Sequence, residues 1–318
     1  MNISLLEPIG ISQTMIEDFS KGLKEAGHSF TYYDTKTTDV EELKRRSAGQ
    51  DIVMIANTPY PDEAVRACDS LKMIAVAFTG IDHVGLEACK EKGIIICNCA
   101  GYSNTSVSEL VLGMTINVMR NISICDTSVR SGKTSLGLAG TEIEGKTIGI
   151  IGCGQIGIKT AKLFLAFGAK VLAYARHERE EVKELGIEYV DLDRLLSESD
   201  IISLHTPANE ETKGLISAEK IAKMKPSAIF INCARGPIVD NQALAKALNE
   251  DKLAGAAIDV FDMEPPIPED YPLLHAKNTL LTPHVAFLTK ESMVRRARTE
   301  FDNVYAYLEG KPSNVCRY

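Results

Sequence analysis

The sequence predicts an α/β fold of two doubly wound, parallel-sheet domains. Three observations carry that prediction. Short apolar runs alternate with helix-like stretches through the first hundred residues, and the alternation starts again at Lys146 and lasts to about residue 285. The 318 residues are also about twice the length of a common domain.

In order along the chain, residues 3–6, 29–33, 52–56, 73–78 and 94–97 read as strands, with helices over 13–26 and 62–71 between them. Apolar runs punctuated by Gly, Pro and Asp fit strands covered on both faces, and repeated βα units imply right-handed crossovers. At Ser106-Val107-Ser108-Glu109 a capping-box pattern opens a long helix reaching Val118. A linker marked by Gly132, Gly137 and Gly140 follows, and the last helix spans residues 291–308 before a Gly310-Lys311-Pro312 turn.

The net charge of −8, with no Lys/Arg-rich run, leaves no electrostatic footprint for nucleic acid or for an anionic membrane surface. No apolar run approaches the roughly 18 residues that a spanning helix needs. The opening segment, Met1 to Pro8, lacks the basic start of a signal peptide. The eight cysteines are scattered, with only Cys97 and Cys99 close, which is no zinc spacing. A metal-free protein of a reducing, cytoplasmic compartment is expected.

The strand Thr147 to Ile151 runs directly into Gly152-Cys153-Gly154-Gln155-Ile156-Gly157, and a helix follows. In that context G-x-G-x-x-G reads as a dinucleotide loop. Gly152 permits the turn, Gly154 lets a pyrophosphate approach the backbone, and Gly157 lets helix and strand close up. The helix N-terminus offers N–H groups and partial positive charge to the anion. Binding of NAD usually calls for a carboxylate at the end of the next strand, but here Ala175 is followed by Arg176, His177 and Arg179. Without the acid nothing repels a 2′-phosphate, and a guanidinium grips one well, so NADP is favoured over NAD.

Three polar islands follow apolar strands further on: Asn232-Cys233-Ala234-Arg235-Gly236, Asp259 with Glu264-Pro265, and Thr282-Pro283-His284. Ligands of doubly wound sheets bind at the carboxyl ends of the strands. A cation, a carboxylate and an imidazole there suit reduction of a keto acid. His284 would supply the proton, Glu264 would favour its charged form, and Arg235 would hold the carbonyl oxygen and carboxylate.

These motifs together make the chain similar to the D-isomer-specific 2-hydroxyacid dehydrogenase family. The resemblance implies a Rossmann-type nucleotide domain, residues 102–285, inserted into a flavodoxin-like substrate domain, residues 1–101 plus 286–318. It implies a catalytic trio of Arg235, Glu264 and His284. It implies cofactor contacts from Gly152, Gly154, Gln155, Ile156, Gly157, Arg176, His205, Thr206, Pro207, Cys233 and Asp259, the last to the nicotinamide carboxamide. The resemblance also implies that the backbone N–H groups of Thr79, Gly80 and Ile81 bind the substrate carboxylate, beside Arg235 and His284. A homodimer formed through the long helix and the region from Asn121 to Thr141 is also implied. Pro283 argues against formate as substrate, and Phe287 narrows the pocket or favours an apolar side chain. Within the same resemblance the alternative is a dinucleotide-sensing, corepressor-like regulator.

Overall fold

The computed structural model describes residues 1–263 and 266–318. In the N-terminal part, β1 (Asn2–Leu5), α1 (Gln13–Glu25), β2 (Ser29–Tyr32), α2 (Val40–Ser47), β3 (Ile52–Ile55), α3 (Asp62–Ala67), β4 (Met73–Val76), α4 (Leu86–Lys92) and β5 (Ile95–Asn98) alternate without interruption. All the strands pair in parallel, in the order β2-β1-β3-β4-β5. Every residue of β3 and β4 is buried, as unbroken Val, Ile, Met and Ala runs require, whereas the edge strand β2 alternates exposed and half-buried positions. Ser12 starts α1 by accepting from the Met15 N–H, and Ile16, Ser20 and Leu23 form its buried stripe.

A second sheet carries the rest. Its elements are α5 (Asn104–Arg120), α6 (Ile122–Arg130), β6 (Thr147–Ile151), α7 (Gln155–Ala166), β7 (Lys170–Tyr174), α8 (Glu180–Glu184), β8 (Glu188–Tyr189), α9 (Leu192–Glu198), β9 (Ile201–Leu204), α10 (Ala218–Ile221), β10 (Ile229–Asn232), α11 (Asn241–Asn249), β11 (Gly255–Ile258) and β12 (Thr279–Leu281). The seven strands are parallel in the order β12-β11-β10-β9-β6-β7-β8. Strand order reverses between β6 and β9, the switch point at which such sheets bind ligands.

The chain then returns to the first sheet through α12 (Lys290–Leu308), whose start is a true capping box: Thr289 accepts from Ser292 and Ser292 answers. Ala297, Phe301 and Val304 of α12 enter the same core as Ile3, Leu5, Ile52 and Met54. The Phe301 ring lies 5.6 Å from both Phe19 and Phe30. The chain thus forms two compact units, Met1–Ser103 with Leu288–Tyr318, and Asn104–Phe287.

Two local expectations need correction. The long helix begins at Asn104, so Ser106 to Glu109 lie inside it. The Ser108 hydroxyl donates back to the carbonyls of Asn104 and Thr105 and caps nothing. The supposed glycine linker contains α6, a helix with no buried residue.

Candidate active site

Loops at the carboxyl ends of β6, β9, β10, β11 and β12 hold most of the residues singled out in the sequence. Gly152 follows β6 with φ +101°, and a Cβ there would lie 2.6 Å from the His205 carbonyl oxygen beyond β9. Only glycine fits both the turn and the approach. At Gly157 a Cβ would meet the Gly152 oxygen at 2.1 Å, while the face of Gly154 is open. Gly154 caps α7, whose first turn carries no acid. Gln155 and Ile156 therefore present a helix N-terminus suited to an anion.

Beyond β9, burial pushes the His205 imidazole down to about 4, and its Nε2 lies 2.8 Å from Ser203 Oγ. Thr206 Oγ1 is buried with no hydrogen-bond partner among the described residues. Pro207 is exposed. An open glycine face, an acid-free helix start and an orphaned hydroxyl at the switch point fit a bound dinucleotide. At the end of β7, Ala175 offers no side-chain acceptor, and the Arg176 guanidinium pairs with Glu211.

The low His205 value has a consequence for stability. Between its ordinary value of 6.5 and about 4, the unfolded chain takes up a proton that the folded chain refuses. Its contribution is therefore complete above about pH 6.5 and lost as the pH falls toward about 4. The shift corresponds to at most about 3 kcal/mol. Denaturation midpoints at about pH 4.5 and about pH 7 should lie further apart in wild type than in His205→Gln. Equal separations would exclude His205 as the source.

After β10, Asn232 is fully buried and organises the arginine that follows. Its side chain accepts from Ala234 N at 2.9 Å and donates to the Arg235 carbonyl at 3.0 Å. Arg235 is half-buried in extended backbone, with one guanidinium nitrogen donating to Ala234 O at 2.8 Å. Next to it a Cβ on Gly236 would lie 1.8 Å from the Phe261 carbonyl oxygen, so the β10 and β11 loops touch at backbone distance. Cys233 Sγ lies 3.7 Å from Met114 Sδ, its thiol pushed well up by burial and by Asp259.

Asp259 has no exposed surface and holds the histidine loop. Its Oδ1 accepts from the Thr282 hydroxyl at 2.5 Å and from Val285 N at 2.9 Å, and its Oδ2 accepts from Ala286 N at 2.8 Å. Burial raises its carboxyl above the usual range, against these three donors and the nearby His284. The His284 backbone has φ +56°, and its N–H donates to Asp259 O at 2.9 Å and Thr282 O at 3.0 Å. Its ring meets Phe287 edge-on, with centroids 5.3 Å apart. Glu264 lies outside the described residues. Two residues earlier, Asp262 is held by Asn241 at 2.8 Å and Tyr271 at 3.0 Å.

In the first unit, Thr79-Gly80-Ile81 follow β4. The Asn98 side chain donates to the Thr79 carbonyl at 2.7 Å, which fixes the loop. Among the described residues nothing accepts from the three N–H groups. Sequence reading assigned no role to Asn232, Thr282 or Glu211. The first stood in plain view between a strand and the arginine, while Thr282 acts across the neighbouring strands β11 and β12 and Glu211 acts from the loop after β9 past β6 to the end of β7.

Residues 112–286 match the family model described as D-isomer specific 2-hydroxyacid dehydrogenase, NAD binding domain. The chain is 38% identical to a hydroxypyruvate reductase of Blautia hydrogenotrophica, over 93% of this chain and 94% of that one. It belongs to the D-isomer specific 2-hydroxyacid dehydrogenase family. Among solved structures similar to this 2-hydroxyacid dehydrogenase, an acyclic imino acid reductase in complex with NADPH and D-Arg superposes with TM-score 0.88 and 30% identity, covering both chains fully. An Aquifex aeolicus D-lactate dehydrogenase complexed with NAD and lactic acid gives TM-score 0.84 and 30% identity, covering 98% of this dehydrogenase and 96% of that chain. The structural neighbours thus include complexes with either dinucleotide.

Proposed function

We propose that this dehydrogenase reduces small 2-keto acids to D-2-hydroxy acids, with NADP preferred over NAD. The observation that carries the reading is the Asp259-anchored His284 on the same sheet edge as Arg235 and the open Gly154 face. When bound, the reduced dinucleotide supplies a hydride to the carbonyl carbon. His284 holds the proton that the carbonyl oxygen needs to become a hydroxyl, and the reverse reaction returns it there. Arg235 neutralises charge on that oxygen and on the substrate carboxylate through its planar fork. Glu264, assigned from its Glu-Pro motif, favours the imidazolium. Asp259 fixes the loop that aims the ring. In the first unit, the N–H groups of Thr79, Gly80 and Ile81 serve as donors to a carboxylate. Phe287 beside His284 gives the substrate an apolar wall, which suits a short or apolar side chain.

Support for NADP comes from Ala175 and Arg176. Ala175 gives the strand end no side-chain acceptor for a ribose 2′-hydroxyl, whereas Arg176 is a partner for a 2′-phosphate. Turnover of glyoxylate, hydroxypyruvate and pyruvate with each reduced cofactor tests the reading. A higher kcat/KM with NADPH is expected, and Ala175→Asp with Arg176→Ile should reverse the order. Preference of the wild type for NADH by about tenfold would overturn the cofactor assignment. Dinucleotide binding with no turnover of any keto acid would favour the regulatory reading.

Ile122 (50% exposed), Ile124 (47%), Val129 (73%) and Leu136 (92%) leave apolar surface on α6 and the segment after it. A second copy of the chain covering this surface, as a homodimer, accounts for a helix with no buried residue. No helix among the described residues is long and apolar enough to cross a membrane.

A further inference from the structure

The loop after β9 is closed on itself. Asn209 Oδ1 accepts from Glu211 N at 3.0 Å and Thr212 N at 3.1 Å, while Thr212 Oγ1 donates to Pro207 O at 2.6 Å. This folding brings Glu211 to the end of β7, where its carboxylate pairs with the Arg176 guanidinium. The other carboxylates near that strand end serve other cations: Glu178 and Glu180 flank Lys183, and Glu181 pairs with Lys162.

We infer that Glu211 is a specificity-determining counter-ion, which holds Arg176 in place and opposes a 2′-phosphate there, moderating the preference for NADP. The inference rests on the reading of Arg176 as the phosphate partner. A phosphate monoester brings about −1.5 to −2 of charge near neutral pH. To reach the guanidinium it must displace Glu211 or share the fork with it, and either is opposed by like charge. A neutral 2′-hydroxyl meets no such opposition. Because both side chains are 68% exposed, solvent and salt screen the pair, and the effect is about two- to fivefold.

Calorimetric titration of NADP+ and NAD+ into wild type, Glu211→Gln, Arg176→Ile and the double variant tests this. The ratio of Kd for NAD+ to Kd for NADP+ should rise about two- to fivefold in Glu211→Gln at low ionic strength, and less in high salt. The rise should vanish in the Arg176→Ile background, where there is no guanidinium to contest. An unchanged ratio in Glu211→Gln, with a lowered ratio in Arg176→Ile, overturns the counter-ion and leaves the cofactor reading standing. An unchanged ratio in Arg176→Ile overturns the cofactor reading itself. A rise that persists without Arg176 makes Glu211 a direct repeller of the phosphate and overturns its role through the arginine.

Discussion

Replacing His284 by asparagine is expected to lower turnover of 2-keto acids about 10²–10⁴-fold, the usual contribution of a positioned general acid. Cofactor Kd and melting temperature should hardly move. The substitution is chosen for the backbone as much as for the side chain. His284 has φ +56°, and the other described non-glycine residues with positive φ are Asn121, Asp251, Asn278 and Asn314. Asn and Asp tolerate that region because their short polar side chains bond locally. Asparagine therefore suits the turn while removing the titrating ring. Near wild-type reduction by this variant would exclude His284 as proton donor.

Arg235→Lys is expected to cost about 10²-fold in kcat/KM, comparable to removing one donor from a preorganised charge-stabilising site. KM for the keto acid should rise and kcat should fall, with cofactor Kd unchanged. The change keeps the charge and loses the planar fork that grips a carboxylate through two parallel bonds. The local backbone is held by Asn232 and by the tight approach of Gly236 to Phe261, so the variant reads the side chain and not the loop. Equal weakening of cofactor and substrate would place Arg235 outside the substrate site.

Both parallel sheets are legible in the sequence because their central strands, buried on two faces, are unbroken apolar runs between turn residues. The glycine loop is legible because strand, turn and helix are contiguous. What escapes is non-local or contrary to burial. Ile122, Ile124 and Val129 lie on exposed surface, so α6 buries no stripe to mark it as a helix among the glycines that follow. At Ser106 to Glu109 the residue types of a cap occur inside a helix, and only the hydroxyl of Ser108 turning back to Asn104 and Thr105 tells the two apart. The grip of Asp259 on Thr282, Val285 and Ala286 requires β11 to neighbour β12. That pairing joins residues more than twenty positions apart, as does the meeting of Arg176 with Glu211.

The return of α12 to the first sheet sets an order on synthesis. When the ribosome has released β1 to β5, the face formed by Ile3, Leu5, Ile52 and Met54 still lacks Ala297, Phe301 and Val304. All of Asn104–Phe287 must be made before they arrive, a wait of roughly 10–40 s at common elongation rates. During that interval the chain of the second unit is completed, while on the first sheet α1 packs through Ile16 and Leu23 and the rest of that face is without its covering helix. Until α12 arrives, the part of the face that Ala297, Phe301 and Val304 cover is apolar surface open to solvent.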